Sequence, residues 1–175
     1  VCSMSVELGI DTDTIKLALK EFEGVNRRFS LLRKYKGIKI FDDYGHHPVE
    51  IKATLAAARE ITKSKLVAII QPHRFSRLKL LFEDFTTAFN DADIVFITEV
   101  YAAGEEKNND FGKNNLISSL LAAGHKDVRS YDENQLNLVI KNNLKEGDLV
   151  VFLGAGDINL QAKKFIEKNL KESIL

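Results

Sequence analysis

Within seven residues, Asp42-Asp43-Tyr44-Gly45-His46-His47-Pro48 collects two carboxylates, a phenol and two imidazoles. A turn rich in Asp and Gly is ordinary, but this one also carries groups that trade protons near neutral pH. Asp and His can ligate a divalent ion as well. The adjacent pair His46 and His47, however, has no standard zinc-ligand spacing and no cysteine to assist it, so no metal site is expected. Pro48 suits the first position of a helix, which places the run where a strand hands over to a helix.

A second run, Gln71-Pro72-His73-Arg74-Phe75-Ser76-Arg77, follows an apolar stretch and leads into another helical pattern. Unpaired N–H groups and the dipole at a helix start favour anions. With a helix starting near Phe75, Arg74 and Arg77 lie three residues apart and are expected to converge on one carboxylate. Gly154-Ala155-Gly156-Asp157 resembles the start of a dinucleotide fingerprint, but Asn159 stands where its third glycine would fall. It reads more simply as a tight strand-to-helix turn with Asp157 as the cap. Arg27-Arg28 reads as a surface basic pair. His125 in a polar turn, and Phe82, Phe85 and Phe89 at helical spacing, read as structural.

The elements that must position these groups follow from periodicity. Ile15, Ala18, Leu19 and Phe22 predict a short amphipathic helix from Asp13, its expected cap, to a stop at Gly24. Segments 28–35 and 38–41, separated by Lys36-Gly37, predict a β-hairpin. From Pro48 onward helices and strands alternate: a helix to about Lys63, strand 66–70, helix 76–89 and strand 94–98. After a loop at 103–115 come a helix to about Ala123, strand 128–131, helix 133–143, strand 149–153 and a last helix from about Asp157. The unbroken apolar runs Leu66–Ile70 and Leu149–Leu153 are those of strands covered on both faces. The expected fold is therefore α/β and Rossmann-like: a mostly parallel sheet with helices on both faces and an N-terminal β-hairpin. Ligands of such sheets sit beyond the carboxyl ends of the strands.

At 175 residues, 45% hydrophobic and 29% charged, the chain suits one packed domain plus a short piece of another. Lys and Arg balance Asp and Glu at 25 each, so no net field draws it to nucleic acid or an anionic membrane, and neither is expected as a partner. No apolar run reaches the length of a membrane span, and no signal-peptide pattern opens the chain. The single Cys2 cannot form an internal disulfide, is expected to be a buried small residue, and fits a cytoplasmic setting. The chain begins without methionine and is expected to be an excised part of a longer one.

Taken together, Gly24-Val25-Asn26-Arg27-Arg28-Phe29, the Asp-Asp-Tyr-Gly-His-His-Pro run and Gln-Pro-His-Arg-Phe-Ser-Arg resemble the Mur ligase family, in particular its alanine-adding branch. Glu99-Val100-Tyr101-Ala102-Ala103-Gly104-Glu105 and Gly154-Ala155-Gly156-Asp157-Ile158 follow in the family's order and spacing. The resemblance covers essentially the whole chain. It implies that residues 1–24 end a central ATP-binding domain and that 25–175 form the C-terminal, amino-acid-binding domain. The implied chemistry is phosphoryl transfer from ATP to the carboxylate of UDP-N-acetylmuramate, followed by attack of the L-alanine amine on the acyl phosphate.

By the same resemblance, Arg28, Asp43 and Tyr44 are expected at the nucleotide, and Tyr44, His46, His73, Arg74 and Arg77 at the amino acid. His46 or His73 would assist deprotonation of the amine. The implied cofactors are ATP and Mg2+, with the magnesium ligands in the central domain. The implied partners are ATP, UDP-N-acetylmuramate, L-alanine and the N-terminal and central domains. No phosphate-loop pattern occurs here, so the chain alone is expected to be inactive. Two other readings stay open: a different ligase of this or the folate polyglutamate type, and a non-catalytic α/β binding module.

Overall fold

In the computed structural model, residues 2–21, 25–108 and 110–170 are described; Phe22 and the stop expected at Gly24 lie outside them. Two helices, α1 (Cys2–Glu7) and α2 (Thr12–Glu21), precede the hairpin β1 (Ser30–Tyr35) and β2 (Ile38–Asp43). There follow α3 (Pro48–Ile61), β3 (Leu66–Ile70), α4 (Phe75–Leu80), α5 (Phe82–Thr87), β4 (Ile94–Ile97), α6 (Lys113–Ala122) and β5 (Val128–Ser130). Then come α7 (Glu133–Leu138), which runs into a π-helical turn (Val139–Asn143), β6 (Leu149–Leu153) and α8 (Ile158–Asn169).

The six strands lie in the order β1-β2-β6-β3-β4-β5, with β1 antiparallel to β2 and every other pairing parallel. The expected α/β, Rossmann-like sheet with an N-terminal hairpin is thus present. The hairpin turns at Lys36 (φ 49) and Gly37 (φ 79), two successive left-handed residues whose twist matches that of the flanking strands.

Alternation along the central strands divides the core in two. Val67, Ile69, Phe96, Val150 and Phe152 face one side and pack with Leu136, Ile140, Ile158, Phe165 and Ile166 from α7, its π-helical turn and α8. Leu66, Ala68, Ile70, Val151 and Leu153 face the other, against Ile51 and Leu55 of α3, Leu78 of α4, Phe85 and Phe89 near α5, and Leu120 of α6. Strands covered twice need apolar residues on both faces, which is why β3 and β6 are continuous apolar runs.

Four details differ from the sequence expectation. The cap of α2 is Asp11, whose carboxylate accepts from the backbone N–H groups of Asp13 and Thr14 at 3.0 and 2.9 Å, because the helix starts one residue before Asp13. The helix expected over 76–89 is broken at Leu81 (φ −112, ψ 22) into α4 and α5. The helix expected over 133–143 widens into a π-helical final turn. Cys2 is exposed rather than buried, because α1 and α2 bury none of their residues against the rest of this chain.

Candidate functional site

Because β6 inserts between β2 and β3, the carboxyl ends of these strands flank the point where chain order reverses, the usual place for a ligand in an open α/β sheet. Backbone pairing continues past the strand ends: Gly154 N–H donates to Asp43 O at 3.1 Å, and Gln71 N–H to Leu153 O at 2.9 Å. Arg74 and Tyr101 also pair, with Arg74 N–H donating to Tyr101 O and Tyr101 N–H to Pro72 O, each at 2.8 Å. The segments after β2, β3, β4 and β6 are therefore tied together at one edge.

Four rings form a row across this edge. Tyr44 meets His46 edge-on at 5.4 Å between centroids, His46 lies 5.5 Å from His73, and His73 stacks on Tyr101 at 5.4 Å with 14° between planes. The sequence names Tyr44, His46 and His73 as candidates, and the structure brings all three together. Tyr101 belongs to the same row, but no local pattern in the sequence singles it out, because its place beside His73 depends on the pairing of segments after different strands. A lone bridge between His73 and Tyr101 makes that connection.

His46 and His47 divide their duties. Val49 N–H donates to His47 Nδ1 at 3.3 Å, and Glu50 accepts from the backbone N–H groups of His46 and His47 at 3.1 and 3.2 Å, closing a capping box at the start of α3. His46 instead places Nδ1 3.0 Å from Tyr44 O and 3.6 Å from Glu50 Oε2. His73 Nδ1 lies 3.1 Å from Arg77 Nη1. Burial, and then His46, Arg77 and Arg74, hold the pKa of His73 below the ordinary imidazole value.

The expected carboxylate cradle is built differently from its sequence reading. Arg77 reaches back one turn to His73, with a longer contact of 3.4 Å to its carbonyl. The start of α4 is already occupied: Glu105 accepts from Ser76 N–H at 2.9 Å and from the Ser76 hydroxyl. Arg74 stands before the helix at φ 67, ψ 132, a conformation rare outside glycine that costs of order 1–3 kcal/mol. Its N–H bond to Tyr101 O holds it there. Arg74 and Arg77 thus border the ring row, but an anion at this helix start would have to displace Glu105.

Arg27, read from sequence as a surface residue, is half-buried. Its Nη2 donates to Gly154 O at 2.5 Å and approaches Gly156 O at 3.3 Å, and its Nε faces Asp42 Oδ2 at 3.6 Å. Asp42 is buried, and burial raises its pKa despite Arg27. Arg28 and Arg27 both place guanidinium carbons over the Tyr44 ring, 5.7 and 4.8 Å from its centroid. Asp43 is buried as well: Oδ2 accepts from Phe29 N–H at 2.8 Å, and Oδ1 from Gly45 N–H at 2.7 Å and Thr54 Oγ1 at 3.1 Å. Three of about four carboxylate lone-pair sites are therefore spent on the protein.

The turn after β6 depends on two glycines. Gly154 adopts φ 150 with its carbonyl against Arg27, and Gly156 packs its bare α-carbon against the Tyr101 ring and the Gln71 side chain. Asp157 occupies the cap position of α8, but its carboxylate accepts from Gln71 Nε2 at 2.6 Å and Gln161 Nε2 at 2.9 Å. Gln71 Oε1 accepts the Ile158 N–H at 3.2 Å in its place. His125 and the phenylalanines are structural as expected: His125 Nε2 lies 3.1 Å from Thr86 O, and Phe85 and Phe89 are buried.

Residues 27–156 match the family model for the Mur ligase, glutamate ligase domain. The UDP-N-acetylmuramate–L-alanine ligase of Bartonella henselae is 55% identical over 154 residues, covering 87% of this chain and 32% of that protein. The ligase of the same name from Rhodopseudomonas palustris is 52% identical over 153 residues, covering 87% of this chain and 33% of that protein. The chain thus spans about a third of the length of the curated relatives it matches. The crystal structure of the UDP-N-acetylmuramate–alanine ligase of Thermotoga maritima superposes with a TM-score of 0.74 at 32% identity, covering 95% of this chain and 35% of that one. A murein peptide ligase from Psychrobacter arcticus shares the fold, with a TM-score of 0.63 at 20% identity over 91% of this chain and 33% of that one.

Proposed function

The chain belongs to the Mur ligase family, and on that premise we propose that it is the C-terminal domain of an ATP-dependent ligase joining L-alanine to UDP-N-acetylmuramate in peptidoglycan synthesis. The observation that carries this reading is the agreement between relatives of that name at 52–55% identity and the gathering of Tyr44, His46, His73, Arg74 and Arg77 at one sheet edge.

In this reading, residues 1–24 end the preceding ATP-binding domain and 25–175 form the C-terminal one. Its support is that α1 and α2 bury no residue here and leave Met4, Leu17 and Leu19 exposed, as helices detached from their own core would. The Arg27–Arg28 segment would then lie at the junction. Arg28 and the Tyr44 ring would meet the nucleotide, and Asp43 would offer a ribose hydroxyl its one unspent lone-pair site while bracing the turn. Tyr44, His46, His73, Arg74 and Arg77 would hold the amino acid, with His46 or His73 serving its amine.

Among the described residues no group of three or more His, Cys, Asp or Glu could hold a metal ion. By the family resemblance, Mg2+ ligands would come from the central domain. Bound there, Mg2+ would neutralise charge on the transferring phosphoryl group. In this reading the reaction, which consumes ATP and a UDP-sugar, would take place in the cytoplasm. Among the described residues no helix is long and apolar enough to cross a membrane.

The test is ADP release by the full-length polypeptide given ATP, Mg2+, UDP-N-acetylmuramate and L-alanine, compared with its Arg77→Ala variant and with this chain alone. Alanine-dependent turnover, weakened in the variant and absent from the chain alone, is expected. No turnover with any amino acid would refute the reading. Glycine and serine should be accepted in part, since one methylene alters binding by only about 1–3 kcal/mol and an apolar pocket rejects an added hydroxyl weakly.

A further inference from the structure

Two imidazoles lie 5.5 Å apart in the row, and their Nδ1 atoms face partners of opposite kind. A guanidinium has no acceptor, so Arg77 Nη1 must donate at 3.1 Å and His73 Nδ1 must be a lone pair. A carbonyl has no proton, so at 3.0 Å Tyr44 O must accept and His46 Nδ1 must carry the hydrogen. In a neutral ring the remaining nitrogen takes the complementary role. His73 therefore presents Nε2–H, and His46 presents a bare Nε2.

Resting on the ligase reading above, we infer that His46 and His73 are held in opposite tautomers, so that His46 Nε2 takes the proton from the incoming ammonium while His73 Nε2–H donates to the amino acid's carboxylate. Among the described residues both rings form their hydrogen bonds through Nδ1 and neither Nε2 has a hydrogen-bond partner, which leaves both Nε2 atoms for substrate. The surroundings agree. Glu50 Oε2 lies 3.6 Å from His46 Nδ1, a second acceptor on the side of the ring that carries the hydrogen. His73 is half-buried and faces Arg77, Arg74 and His46, with Glu105 as its one nearby anion, so it resists protonation and remains a donor.

The protons balance. The ammonium gives one proton to His46 Nε2, the free amine forms the C–N bond at the acyl phosphate, and the C–O bond to the phosphoryl group breaks. The second proton leaves nitrogen with the departing phosphate, giving the amide and hydrogen phosphate. The imidazolium at His46 returns its proton to water.

Long-range 1H–15N spectra of the histidine-labelled chain at mildly alkaline pH decide the tautomers without any substrate. His46 should show the Nδ1–H pattern and His73 the Nε2–H pattern, with Arg77→Ala releasing His73 to a mixture while His46 stays as it was. His46 as the Nε2–H form, or His73 as the Nδ1–H form, would overturn the inference. In the full-length ligase, His46→Gln should lose the acidic limb of the kcat–pH profile and about 10²–10⁴-fold in kcat, with little change in KM for alanine. His73→Gln keeps an N–H donor, so it should retain the acidic limb and act on KM. The reverse pattern would overturn the roles even with the tautomers as stated. A full-length wild type that uses no amino acid would instead sink the ligase reading, and the spectra would still decide the tautomers.

Discussion

The Glu105 carboxylate binds Ser76 twice, at the backbone N–H and at the hydroxyl, across 29 residues of sequence. This tether joins the loop after β4 to the start of α4. It occupies the helix terminus that the sequence alone would offer to a substrate anion.

Donation first from the Ser76 hydroxyl and then from its amide lowers the Glu105 pKa. Because the folded value lies below the unfolded one, the tether is complete above the ordinary carboxylate range and is lost as pH falls through the lowered value. In an NMR pH titration the Ser76 amide shift should follow Glu105, and in Glu105→Gln that acid transition should vanish.

Asp43 supplies the acceptor for three donors on three segments: Phe29, Gly45 and Thr54. Asp43→Ala would strand them, and should lower stability by roughly 2–4 kcal/mol in urea unfolding, against about 1 kcal/mol for Thr54→Val.

Asp42 has the opposite sign. Burial raises its folded pKa above the unfolded value, so its contribution is favourable below the unfolded pKa and is lost as pH rises through the folded one. The stability of Asp42→Asn relative to wild type should therefore improve from acid to neutral pH. Urea midpoints measured at both ends check this, and a variant that loses stability relative to wild type as pH rises would contradict it.

A methyl group at Gly156 would come within 2.7 and 2.9 Å of the Tyr101 ring and would also strike the Gln71 side chain. Gly156→Ala should cost about 1–3 kcal/mol and push Tyr101 off the His73 ring. Thermal unfolding together with the ring-current shift of His73 reads both effects.

Much of this protein is written in local pattern. The apolar runs at Leu66–Ile70 and Leu149–Leu153 carry the doubly covered strands, Lys36-Gly37 carries the hairpin, and the two histidine-bearing runs mark where strands β2 and β3 end. The strands, the hairpin and the strand ends at which the two histidine-bearing runs begin are legible because period, turn chemistry and side-chain type act over a few residues. What only the tertiary structure decided is how groups from different strands meet. The insertion of β6 between β2 and β3 brings Gly154 to Arg27, pairing past the strand ends stacks Tyr101 on His73, and a 29-residue closure lays Glu105 on Ser76. Each of these contacts depends on which strands become neighbours. That choice is made by burying two apolar faces at once, so no local stretch of sequence contains it.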